Sequence, residues 1–278
     1  MFIATAKSTI GTTIVKRSIY TVPKLILPSS CTNTTSSTAP IIPNVYSSLG
    51  FQTVWTDYQK YLCDQLTLVT QGTSFENYLP YHLILKSAKT TFNTRIFNLA
   101  SAVHNNHLFI ENIIPNQISS VTNDKIQPSR VFIKKLQDQY QNPNLTWEDY
   151  KLEILNKVEE NLKSGQGWVF VVEDFNKKLH ILTCNNHGTP YFAPRNQSVD
   201  LNGGVNNHKD YELLNELKNE LSRSENKVFK DWTLPLIVVN LFDVAYLPDY
   251  GVAGRSKYLS TILDNLNWGV VNKRIFQN

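Results

Sequence analysis

The sequence predicts an α+β protein: a helical half, then a half that mixes helices with a small three-stranded sheet. Three observations carry this. Apolar residues recur at helical spacing from Trp55 to Ile113, the period changes to short β-rich runs at Gly165, and Pro235–Phe242 is a continuous apolar run of strand length.

Each element follows from its residues. From Trp55 to Val69 the pattern is helical, with Tyr58, Tyr61, Leu62 and Leu66 on one side. After a loop around Gly72, one longer helix is expected from about Leu83 to Ile113. Its stripe is Phe92, Ile96, Leu99, Val103 and Ile110, and His107 occupies the gap in it, pointing inward. The two helices suggest a helical hairpin. A polar stretch at 115–128, with Pro115 and Pro128, precedes helices near 130–141 and 146–163. The second opens on Thr146 and Asp149, close to a capping box, and buries Trp147, Tyr150, Ile154, Val158 and Leu162. Trp168–Glu173 and Leu179–Cys184 flank a turn and read as a hairpin. A loop at 185–209, a helix near 209–222, the buried strand at Pro235–Phe242 and a final helix from about Ser256 to Asn267 complete the order. The expected organisation is a targeting peptide at 1–20, an extended arm at 21–50, a helical hairpin domain at 51–115 and an α/β domain at 129–278.

A chain of 278 residues with 13 Phe, 13 Tyr and 5 Trp has enough apolar surface to collapse. No run approaches the roughly 18 consecutive apolar residues of a membrane span, so no membrane partner is expected. The three cysteines, Cys31, Cys63 and Cys184, are widely spaced and exclude a disulfide framework or zinc ribbon as the organising principle. Lys and Arg total 27 against 23 acids. The first acid is Asp57, and Lys7, Lys16, Arg17 and Lys24 precede it, so residues 57–278 hold 23 bases and 23 acids. The basic excess therefore belongs to the leader, and a neutral body is poor evidence for a protein that wraps nucleic acid. The leader is basic, hydroxyl-rich and free of acids, as mitochondrial targeting peptides are.

Several segments resemble landmarks of the iron/manganese superoxide dismutases, in family order, across roughly residues 50–278. Asn106-His107-Leu108-Phe109 with Asn112 resembles N-H-x-F-x-W. Gly165-Gln166-Gly167-Trp168 resembles G-S-G-W, Thr183-Cys184-Asn185-Asn186 resembles T-P-N-Q, and Pro235 to Tyr246 resembles P-L-L-x-x-D-x-W-E-H-A-Y. Lys257-Tyr258-Leu259 through Asn267-Trp268 resembles the family's last helix. The resemblance implies a helical hairpin followed by an α/β domain with a three-stranded antiparallel sheet. It also implies one redox metal held by three histidines and an aspartate, and here the sequence departs. No histidine stands near Thr53, where the first ligand belongs; His107 keeps the second position; Asn240 replaces the aspartate; Val244 replaces the last histidine. The metal-facing glutamine corresponds to Asn186 and the tryptophan after the second ligand to Glu111. One imidazole does not hold a redox metal, so no metal, no cofactor and no catalytic residue are expected.

Other sites read more plainly. In His104-Asn105-Asn106-His107, position 107 is expected in the core and 104 at the surface. Cys63 reads as a small buried hydrophobe, and Gly251–Arg255 lacks the context of a phosphate loop. Lys134-Lys135, Lys177-Lys178 and Lys273-Arg274 read as exposed doublets, with Lys177-Lys178 able to reach a phosphate from a hairpin tip.

The segments Phe51–Thr70, Phe97–Ser101 and Asn105–Phe109 look more like a non-enzymatic branch of the family than like an enzyme. That branch comprises fungal mitochondrial small-ribosomal-subunit proteins with degenerate dismutase folds. The resemblance implies a non-catalytic ribosomal component in the mitochondrial matrix, among other small-subunit proteins. It implies a second dismutase-like subunit as heterodimer partner across the face that Asp243, Ala245 and Tyr246 partly keep, and a peripheral rRNA contact. The remaining alternatives are a working dismutase and a matrix scaffold outside the ribosome.

Overall fold

The computed structural model describes residues 19–28, 31, 41–88, 91–115, 127–162, 165–174, 176–191 and 233–276. Residues 1–18 of the leader and the helix expected near 209–222 lie outside these.

The helical half begins before Trp55. Helix α1 (Ser48–Phe51) is capped by the Ser47 hydroxyl, which accepts the Gly50 N–H at 3.1 Å. The chain then widens into a π-helical turn over Gln52–Asp57 and continues as α2 (Tyr58–Thr70). Leu62 and Leu66 are buried as expected, but Tyr61 is an exposed residue.

The single helix expected over 83–113 is two. Helix α3 (Pro80–Ser87) starts on Pro80, whose fixed φ suits a first turn, and a short 3₁₀ turn at Thr91–Asn93 leads into α4 (Thr94–Ile113). Phe92 on that turn is 98% exposed rather than part of a buried stripe, so no apolar face carries the helix through it.

Helix α4 joins two cores. Its first half packs Ile96, Ala100 and Val103 with Leu62, Cys63, Leu66, Leu83 and Ile84 of the hairpin. Its last turns put Phe109, Ile110 and Ile113 into the larger core of the α/β half. Residues 104–108 therefore sit at the seam.

In the second half, α5 (Arg130–Tyr140) and α6 (Trp147–Leu162) match expectation. The capping box is present: the Thr146 N–H donates to Asp149 Oδ2 at 2.9 Å, and the Asp149 N–H lies 3.4 Å from Thr146 Oγ1. Tyr150, Ile154, Val158 and Leu162 are buried, and Trp147 is half-buried at the edge. Strands β1 (Gly167–Asp174), β2 (Leu179–Asn185) and β3 (Thr233–Asn240) form an antiparallel sheet in the order β2-β1-β3. β1 is central and buried almost throughout. Gly167 is required by close approach, because a Cβ there would stand 2.0 Å from the Cys184 carbonyl oxygen.

The C-terminal region holds more helix than periodicity suggested. Helix α7 (Asp243–Tyr250) follows β3, then come α8 (Arg255–Asp264) and α9 (Trp268–Phe276). Pro248 inside α7 and Gly251 at its end hid that helix from a spacing argument, and the chain turns at Asn265 into a further helix instead of ending at Trp268.

The arm is not a free extension where it is described. Val22, Leu25 and Leu27 pack on the main core, the Tyr20 hydroxyl donates to the Tyr78 carbonyl at 2.8 Å, and Cys31 is fully buried. Ile42, Val45 and Tyr46 are core residues, so the folded body starts some ten residues before the expected boundary at 51.

Candidate functional site

At the seam, three buried amides bind one another. Gln59 on α2, Asn106 on α4 and Asn240 at the end of β3 are all fully buried. Asn106 Nδ2 donates to the Val54 carbonyl at 3.0 Å and to Gln59 Oε1 at 2.9 Å. Its Oδ1 accepts from Asn240 Nδ2 at 3.0 Å, and Asn240 Oδ1 accepts the Phe242 N–H at 2.9 Å. Gln59 Nε2 donates to the Val103 carbonyl at 3.0 Å. The relay carries no charge and has its hydrogen bonds made, so its burial costs far less than that of a carboxylate and histidines without a cation. Beneath it, the Tyr258 hydroxyl donates to the Asn240 carbonyl at 2.8 Å, and the Tyr46 hydroxyl donates to the Ala245 carbonyl at 2.8 Å.

The three degenerate positions have different fates. Asn240 enters the relay. Val244, on the first turn of α7, packs half-buried against the main core. His107 turns aside: its ring lies 5.8 Å from that of Trp55, its Nε2 is 3.5 Å from Glu111 Oε1, and about a third of its side chain is exposed. Burial lowers the His107 pKa while the Glu111 carboxylate raises it, with a net lowering. One imidazole, one amide and one aliphatic side chain do not fit an iron or manganese ion. Among the described residues, no three His, Cys, Asp or Glu side chains are grouped to hold any metal.

Several neighbouring expectations are corrected. His104, expected at the surface, is the more buried histidine: its Nε2 lies 2.7 Å from the Tyr191 hydroxyl and its ring 5.8 Å from that of Tyr81. Burial first, then the nearby His107 and Arg274, lower its pKa to about 4. Asn186 is exposed on a left-handed turn after β2 rather than facing the interior. The next residue turns inward instead, and His187 stacks on Phe242 with centroids 5.1 Å apart.

Glu111 gains a role. Its Oε2 accepts from Arg274 Nη2 at 2.9 Å, and Arg274, read from sequence as exposed, keeps only 12% of its side chain in solvent. Arg274 Nη1 also reaches Asn112 Oδ1 at 3.1 Å and the Leu236 carbonyl at 3.0 Å. Leu236 is the unpaired residue of the bulge where β1 pairs with β3, and Asn112 Nδ2 holds the same carbonyl at 3.1 Å. Glu111 therefore fixes the cation that satisfies a broken stretch of sheet.

Sequence reasoning missed Gln59 and Arg274 and did not see Asn106 as a network member. The available signal was three asparagines (Asn105, Asn106 and Asn112) on α4 among apolar neighbours; buried amides on a core helix call for partners.

The fold is iron/manganese superoxide dismutase-like, with a satisfied amide relay buried where its two cores meet. The family description "Iron/manganese superoxide dismutases, C-terminal domain" matches residues 205–274. The chain is similar to Small ribosomal subunit protein mS43 of Schizosaccharomyces pombe, with 23% identity over 234 residues, 83% of this chain and 79% of that protein. It is also similar to Small ribosomal subunit protein mS42 of the same organism, with 24% identity over 196 residues, 70% of this chain and 73% of the relative.

Proposed function

We propose that this chain is a non-catalytic structural component of the mitochondrial small ribosomal subunit, working in the matrix. The observation that carries this is similarity along most of the chain to a small-subunit protein, and the uncharged, satisfied relay around Asn240, where the dismutase resemblance expects a metal ligand, supports it. A dismutase needs an open, metal-loaded site. A scaffold needs a stable body and surfaces, and Gln59, Asn106 and Asn240 supply the first by joining three elements.

Its partners are other small-subunit proteins, including a second dismutase-like chain as heterodimer partner, with a peripheral contact to rRNA. Two small-subunit proteins of one organism share similarity to this chain, which supports pairing between like folds. The partner face is that of α1 and α7, where Leu49, Leu247 and Val252 are exposed and Asp243 is held by Gln166 at 2.7 Å and by Tyr246 at 2.7 Å. The division at 1–20, with an acid-free leader removed on import, belongs to the same reading.

The test is sedimentation of the tagged chain from a mitochondrial lysate at low salt, with metal analysis and a superoxide assay on the purified protein. Co-migration with the small subunit, without stoichiometric iron or manganese, is the expected outcome. A free metal-loaded dimer that dismutates superoxide sinks the proposal.

A further inference from the structure

Two lysine doublets far apart in sequence are joined at one buried carboxylate. Lys134 and Lys135 lie on α5, and Lys177 and Lys178 close the β1–β2 turn. Glu173 joins them: its side chain is 1% exposed, and the ammonium groups of Lys135 and Lys177 each stand 3.2 Å from its Oε1. The two elements are locked, because the Gln139 side chain accepts the Leu179 N–H at 2.8 Å and donates to the Leu179 carbonyl at 2.8 Å. Lys134, Lys177 and Lys178 are exposed, and Lys135 is half-buried with its stem against the body.

Lys177 stands on the turn at φ 64°, in the left-handed region that glycine and asparagine occupy most easily, and its ammonium is held by Glu173. Asp174 is held by His180 at 2.8 Å and by the Lys178 N–H at 2.9 Å, and Asp138 is exposed on α5.

We infer that this ridge of α5 and the β1–β2 turn is a contact for the sugar-phosphate backbone of RNA, which assigns a location to the rRNA contact of the proposed function and rests on that reading. Lysine ammonium groups act as point charges toward phosphate without reading bases, so the contact positions the protein and carries no sequence preference. In a body whose bases and acids balance, two lysine doublets joined at one carboxylate are where an electrostatic footprint of this kind can stand.

The test uses the full chain. A Lys134→Glu/Lys178→Glu double variant keeps both lysines that pair with buried Glu173, and a Lys60→Glu/Lys257→Glu variant changes the same charge at exposed positions elsewhere. Binding of purified protein to small-subunit rRNA is measured across a potassium chloride series. The expected result is affinity lower by about tenfold or more and a log–log salt slope shallower by about two in the first variant, against little change in slope in the second. Equal slopes in both, or no RNA binding by the unmodified chain, overturn the inference. So do crosslinks from Lys134 or Lys178 in assembled subunits that map to an acidic protein segment instead of RNA. Failure to co-sediment with the small subunit removes the proposed function, while the salt slopes still decide the ridge.

Discussion

Asn240 shows how one amide can close a site that the dismutase pattern leaves open. An aspartate in its place would be a buried anion facing Asn106 Oδ1 and Asn240's own neighbours, without a cation to compensate it. Asn240→Ala leaves Asn106 Oδ1 and the Phe242 N–H short of a partner in the interior, so stability falls by about 2–3 kcal/mol, read by chemical denaturation. A loss below about 0.5 kcal/mol would show that the relay is not a structural cross-link. His104 sets a pH dependence. Its folded pKa of about 4 lies below the ordinary histidine value, so the unfolded chain takes up a proton that the folded chain refuses. The stability it contributes is complete above about pH 6.5 and is lost as pH falls toward 4, by up to roughly 3 kcal/mol. His104→Phe flattens that part of the stability–pH curve; an unchanged curve refutes the assignment. His187, also lowered by burial, acts in the same direction and is unaffected by the substitution.

At the scale of elements, spacing arguments worked where one face is apolar and the other wet, as on α6 with its capping box, and where a short apolar run is buried on both faces, as in β1 and β3. They failed where backbone chemistry interrupts the pattern: at Thr91–Asn93, which divides α3 from α4, and at Pro248, which conceals α7. The bulge at Leu236 had no local signal, since Asn112 and Arg274, which satisfy it, are more than a hundred residues from each other in sequence. Close approach of β1 and β2 supplies a sharp prediction. Gly167→Ala drives a Cβ into the Cys184 carbonyl, where rigid backbone cannot yield, and costs about 2–4 kcal/mol or prevents folding. Gly50→Ala serves as the comparison, because its Cβ meets side chains alone, the Asp249 carboxylate and, at 3.1 Å, the Tyr46 ring, and no backbone. If the two substitutions cost the same in thermal unfolding, backbone approach is not what selects Gly167.

Across the whole molecule, α4 joins the two cores, and the arm beyond the leader covers one of them. Val22, Leu25 and Leu27 pack on the α/β core, so a chain beginning after residue 28 loses those contacts. Such a truncation lowers the unfolding free energy by about 1–3 kcal/mol, from the apolar area returned to water. Unchanged stability would mean that the arm lies on the body without supporting it. The α+β order and the dismutase likeness were both present in the linear chain. They depend on local periodicity and on residue identity at motif spacing, which a single chain carries. Which polar side chains pair across the interior was not present there. Gln59 meets Asn106 across 47 positions and Asn106 meets Asn240 across 134, Glu111 finds Arg274, and Lys135 finds Lys177 over a buried carboxylate. A hydrogen bond or ion pair needs atoms about 3 Å apart, and folding alone brings together side chains that the sequence separates.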